Sequence, residues 1–185
     1  CTDHPVLIGD TQTTSSKLEV LEDLLRPIMG SGDKAIIFTQ FAEMAKYLDS
    51  YFAQKGMRPL TIYGEIKSEA RQEMVNVFNK NPEHKLIIMT EAGTYGLNLQ
   101  AASYVIHYDS PWSVSKLMQR EDRAHRIGQL KPVTVYNLIA RHSIDEYVIK
   151  VLHKKQKISV NILQDEDRLE SAGFAEEDIK AILRL

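Results

Sequence analysis

Three stretches of this sequence combine residue types suited to phosphate chemistry. The densest is QREDRAHRIGQ at 119–129. Arg120, Arg123 and Arg126 follow at i, i+3 and i+6, so on a helix neighbouring guanidiniums stack one turn apart. Arginine suits phosphate oxygens, and one placed on a γ-phosphate contributes roughly 10³–10⁵ in rate. Glu121 and Asp122 leave a salt-bridged surface helix as an equal alternative. The second is TEAGTYGLNLQAA at 90–102, where Gly93 and Gly96 let backbone approach a ligand and Asn98 offers a donor and an acceptor. Glycines serving the loop's own turns are the other reading. The third is Thr39-Gln40-Phe41, a hydroxyl and an amide beside a helix start, fit for phosphate oxygens or for plain helix capping.

Other chemistry is thinly represented. No GxGxxG or GxxxxGK[ST] occurs, so nothing here cradles a triphosphate independently. Cys1 and His4 have C-x-x-H spacing without a second pair, and a metal site is not expected. No Ser-His-Asp or Cys-His arrangement is readable.

The elements that position these stretches are α/β in pattern. Five short apolar runs read as strands buried on both faces of a parallel sheet: 35–39, 60–63, 86–90, 104–108 and 133–139. Helices lie between them. Phe41, Ala45, Leu48 and Phe52 mark one face of the first. Ser68 caps a second, which runs to about Asn79 with Met74 and Phe78 one turn apart. Val114, Leu117 and Met118 begin a third, which is expected to end near Gly128. Ser16 with Glu19, and Ser143 with Glu146, have capping-box spacing ahead of terminal helices. Ile179, Ile182 and Leu183 share a face in a possible last helix. Short strand-helix-strand steps imply right-handed crossovers and a doubly wound sheet. In such sheets ligands sit at the carboxyl ends of the strands, where all three stretches fall. The expected division is a lead-in and helix at 1–33, the α/β lobe at 34–160 and an acidic helical tail at 161–185.

Composition sets bounds. The 185 residues are 43% hydrophobic and 26% charged, ordinary for a soluble domain. No run is long enough for a membrane span, and residues 1–30 lack a signal peptide. One cysteine fits a reducing, intracellular setting. The chain starts without Met and reads as beginning mid-sequence. A net charge of −2 is unlike a free-standing nucleic-acid-binding module, so any DNA contact must be local or shared with another segment.

Taken in order, CTDHP at 1–5, KAIIFTQF at 34–41, YGEIKSEARQEMVNVFN at 63–79, TEAGTYGLNLQAASYVIHYD at 90–109, PWSVSKLMQREDRAHRIGQ at 111–129 and VYNLIARHSIDE at 135–146 resemble the second, C-terminal RecA-like lobe of Swi/Snf-type superfamily-two helicase-like ATPases. The resemblance covers about residues 1–160. It implies a RecA-like open, mainly parallel sheet of the P-loop NTPase type, with helices on both faces and further C-terminal helices. It implies a DNA-dependent ATPase whose ATP and Mg²⁺ are held mainly by a first RecA-like lobe, so that this lobe is inactive by itself. By position, Arg123 and Arg126 match the arginines that reach the phosphates, Arg126 foremost as arginine finger. Gly96, Asn98 and Gln119 match the nucleotide border. Thr39, Gln40, Thr90 and Gly93 match positions facing the DNA backbone, and Trp112 matches a tryptophan linking the two sites, with a core role as its alternative. The implied partners are double-stranded DNA, the first lobe and a DNA-bound protein complex, with no membrane, in a nucleus or a bacterial nucleoid or cytoplasm. Two departures stand out: Glu91 replaces the family's usual Arg and Thr94 its second Gly, and Trp112-Ser113-Val114 stands for W-N-P. A docking lobe that has lost catalysis, or a lobe of an RNA-directed helicase, are the rival readings; the latter would carry a motif closer to HRIGRTGR.

Overall fold

A computed structural model of the chain describes residues 15–91, 96–125, 129 and 131–161. The elements are α1 (Ser16–Ser31), β1 (Ala35–Phe38), α2 (Ala42–Gln54), β2 (Leu60–Ile62), α3 (Ser68–Lys80), β3 (Leu86–Met89), β4 (Tyr104–His107), α4 (Val114–Glu121), β5 (Thr134–Asn137) and α5 (Ile144–Asn161). The five strands form one sheet in the order β2-β3-β1-β4-β5, and every pairing is parallel. All carboxyl ends therefore open on one edge. The chain winds from β1 toward β2 on one side and from β4 toward β5 on the other, so the order reverses between β1 and β4, where a ligand crevice is expected.

Alternation along each strand divides the core in two. Ala35, Ile37, Leu86, Ile88 and Ile106 face one way and meet α1 and α2 through Leu21, Leu25, Met44, Leu48 and Phe52. Ile36, Phe38, Ile87, Met89 and Val105 face the other and meet α3 and the 97–102 segment through Val75, Phe78, Leu97 and Leu99. Both faces of β1, β3 and β4 are thus dry, which accounts for their unbroken apolar sequences. The edge strands depart from this: β5 shows exposed Thr134 and Asn137, and β2 buries only Ile62.

Several expected boundaries move. The strands stop before Thr39, Tyr63, Thr90 and Tyr108, which begin the carboxyl-edge loops. Ser15, not Ser16, precedes α1, and Lys67, not Ser68, precedes α3; neither donates or accepts a side-chain capping bond. Ser143 does cap, since its hydroxyl accepts the Asp145 amide at 3.1 Å. Phe41 lies before α2 and is exposed, and Met44 takes the core place that its spacing suggested. The third helix ends at Glu121, well short of Gly128. Beyond it Arg123 and Ala124 amides bond three residues back, to Arg120 and Glu121 carbonyls at 3.3 and 3.1 Å. The His125 amide still reaches the Glu121 carbonyl at 3.0 Å, but the helix proper carries Arg120 and not Arg123, and Arg126 lies outside the described residues. The last helix expected around Ile179 lies outside the described residues.

Candidate active site

The crevice between β1 and β4 is filled by protein hydrogen bonds centred on Asp109. Its carboxylate accepts the Thr39 hydroxyl at 2.5 Å and the Gln40 amide at 2.9 and 3.1 Å. The Gln40 side chain donates to the Ser110 carbonyl at 2.9 Å, closing a second link across the same gap. Burial pushes the Asp109 carboxyl above its ordinary range, while the Thr39 hydroxyl, the Arg120 cation and the Gln40 amide pull it down.

Arg120 reaches this site from the end of α4. It is 1% exposed and lies over the Phe38 ring, its guanidinium carbon 5.5 Å from the centroid. One terminal nitrogen donates to the Asp109 carbonyl at 2.8 Å and lies 3.4 Å from His107 Nδ1. The other donates to Glu91 Oε1 at 3.0 Å and lies 3.7 Å from Asp109 Oδ1. The second Glu91 oxygen holds Lys116 at 2.8 Å. A charge removed from water this completely is tolerated because it is paired and hydrogen-bonded. Desolvation still lowers the guanidinium below its ordinary range, against the opposing pull of Asp109 and Glu91.

Arg123 lies just past the helix, half-buried, and is locked to the 96–99 turn in both directions. Its Nε donates to the Gln119 carbonyl at 3.0 Å and its NH1 to the Leu97 carbonyl at 3.4 Å. Its own carbonyl accepts the Leu99 amide at 2.9 Å. The turn starts at Gly96, whose φ of +75° a side chain would strain, and among the described residues, its chain neighbours aside, no atom lies within 4 Å of where its Cβ would stand. Asn79 braces the same turn from α3, donating to the Asn98 carbonyl at 2.8 Å and accepting the Ala101 amide at 3.3 Å. Gln129 clamps it from the far side through the Gln100 and Ala102 carbonyls, at 3.0 and 2.7 Å.

The structure therefore joins Gln119 and Arg123 by hydrogen bonds to the turn that carries Gly96 and Asn98, and places Thr39, Gln40 and Thr90 at the neighbouring strand ends. Thr39 is fully buried, with its hydroxyl spent on Asp109. Thr90 is buried too. Trp112 is 41% exposed and does not belong to the core. Gly93 and Arg126 lie outside the described residues. Among the described residues no three His, Cys, Asp or Glu side chains converge as metal ligands, and no helix is long and apolar enough to cross a membrane. The central places of Asp109 and Arg120 were missed by the motif reading. The available signal was a carboxylate straight after an apolar strand, paired with an arginine flanked by the apolar positions Val114 and Leu117.

The helicase conserved C-terminal domain family is matched over residues 16–128, the span holding both arginines and the glycine-rich turn. The chain belongs to this family. Its relatives are of the Swi/Snf type. Human SWI/SNF-related matrix-associated actin-dependent regulator of chromatin subfamily A member 1 is 33% identical over the whole chain, which covers 19% of that protein. The ATP-dependent DNA helicase DDM1 of Arabidopsis thaliana is 35% identical over 91% of the chain and 23% of its own length. In three dimensions the SWI2/SNF2 ATPase core of Sulfolobus solfataricus, solved in complex with double-stranded DNA, superposes with a TM-score of 0.73 at 28% identity, over 98% of the chain and 38% of that core. The chain is thus a C-terminal RecA-like lobe of a Swi/Snf-type helicase-like ATPase, and it spans about a fifth of the two curated relatives.

Proposed function

We propose that this lobe completes, but does not by itself contain, the ATP site of a double-stranded DNA translocase that remodels chromatin or other protein–DNA complexes. The observation that carries the reading is the two-way bonding between Arg123 and the Leu97–Leu99 turn, which fixes an arginine beside an open glycine turn at the lobe's edge. A cation held in advance where charge develops on a transferring phosphoryl group stabilises it without reorganisation. Arg123 and Arg126 supply that charge, and Gly96, Asn98 and Gln119 border the nucleotide. ATP, when bound, supplies the phosphoryl group to be cleaved, and the first lobe holds most of it together with Mg²⁺. Gln40, Gly93 and Trp112 track the DNA backbone, and buried Thr39 and Thr90 shape that edge, Thr39 through Asp109. Backbone contacts carry little sequence information, so the motor is indifferent to base sequence. The protein works inside the cell on DNA, with the first lobe as its obligate partner.

The test is Arg123→Ala, and separately Arg126→Ala, in the complete protein. DNA-stimulated kcat should fall by about 10²-fold or more with a much smaller change in nucleotide affinity. A near-normal kcat in either variant would remove that arginine from the mechanism.

A further inference from the structure

Arg120 is one helical turn from Arg123 and has a different fate. A fully buried arginine is a poor choice for stability alone, because an apolar side chain of similar volume commonly does as well. What its planar fork adds is direction. One nitrogen is held at the end of β4 by the Asp109 carbonyl, and the other at the end of β3 by Glu91. Glu91 also grips Lys116, four residues before Arg120 on the same helix. One carboxylate, 24% exposed, therefore fixes two points along α4. Three residues past the second point stands Arg123, whose amide bonds the Arg120 carbonyl.

We infer that Glu91 and Arg120 form a positioning pair that sets the direction of α4 and, through it, the placement of Arg123. The inference rests on the proposed role of Arg123. It also accounts for a departure noted in the sequence. Where the resemblance implies arginine, this chain carries glutamate at position 91, and an arginine there would face Arg120 with like charge. Glu91 is a ligand for two cations of its own lobe, not a contact for phosphate.

Two substitutions in the complete protein test this, each with DNA-stimulated ATPase kinetics, DNA affinity and thermal melting on one preparation. Glu91→Gln keeps the shape and removes the charge. Its kcat should fall by up to about 100-fold, the scale of loss when a reacting group is misplaced by an ångström. Nucleotide KM should stay within about two-fold; melting should fall, because buried Arg120 loses one charge partner while keeping Asp109 and a neutral acceptor, so kcat is scored per folded protein. Glu91→Arg should lower kcat further. A rise in kcat or DNA affinity with Glu91→Arg would overturn the inference, because it would make position 91 a phosphate contact. Unchanged kcat in Glu91→Gln, or loss only in proportion to lost folded protein, would overturn it equally. The underlying reading fails separately: if Arg123→Ala retains full activity, Arg123 has no catalytic placement to set, whatever Glu91→Gln does.

Discussion

Lys17 and Asp145 join the first and last described helices through one buried contact, and replacing Lys17 with Ala should be among the most destabilising single changes. The ammonium lies 2.5 Å from Asp145 Oδ2, with the two side chains 5% and 8% exposed, and it also donates to the Tyr108 carbonyl at 3.1 Å. Removing one member of a buried pair leaves the other charge uncompensated, at about 3–5 kcal/mol. Asp145 would keep the Ala140 amide at 3.1 Å, which moves the estimate to the lower end. The Tyr108 carbonyl, left without its donor, adds on the order of 1 kcal/mol. The expected loss is therefore about 4 kcal/mol, a large part of the roughly 5–15 kcal/mol of a typical domain. The double change Lys17→Met with Asp145→Leu removes both charges and keeps most of the volume, and should recover all but about 2 kcal/mol. Urea unfolding followed by circular dichroism measures both, from the midpoint at unchanged slope. A Lys17→Ala cost below about 1 kcal/mol would mean that water reaches the pair and that burial is not what governs it. A double variant as unstable as the sum of its singles would refute the coupling itself.

Two further outcomes follow from the same structure. Trp112 is exposed beside buried Pro111, so Trp112→Ala should cost well under the roughly 3–5 kcal/mol of a core tryptophan, while translocation or remodelling by the complete protein drops more than its ATPase; melting loss with both activities falling in parallel would refute this. His107 is buried against Phe38, with Glu121 3.6 Å from Nε2, and burial holds its folded pKa below the ordinary value. The unfolded chain then binds a proton that the fold does not. This residue's share of stability is complete above about pH 6.5 and is lost as pH falls from there toward the folded pKa. A pH series of melting temperatures should show that slope, and His107→Phe should flatten it; an unchanged slope would place the titration elsewhere.

What was legible in the sequence is what depends on local pattern. Apolar runs gave β1, β3 and β4, because a strand dry on both faces has almost no polar position to disguise it, while the partly exposed edge strands β2 and β5 were legible from their short β-branched runs. The motifs gave the glycine turn and the arginine segment, because residue type and spacing are visible without coordinates. The ends of elements were less legible, since Ser16 and Ser68 look like caps whether or not their hydroxyls reach an amide. The difference between Arg120 and Arg123 was not legible at all. On a continued helix the two are neighbours on one face and interchangeable in charge. They part where the helix stops at Glu121: Arg120 lies buried over Phe38 on the Asp109 carbonyl, and Arg123 reaches the Leu97 carbonyl. That stop follows from tertiary contacts: the Arg123 carbonyl is taken by the Leu99 amide, and Ala124 packs against the core beside Leu97 and Leu99. Those partners lie more than twenty residues earlier in the chain. A spacing rule sees only one helix at a time, so it could not tell the surroundings of Arg120 from those of Arg123.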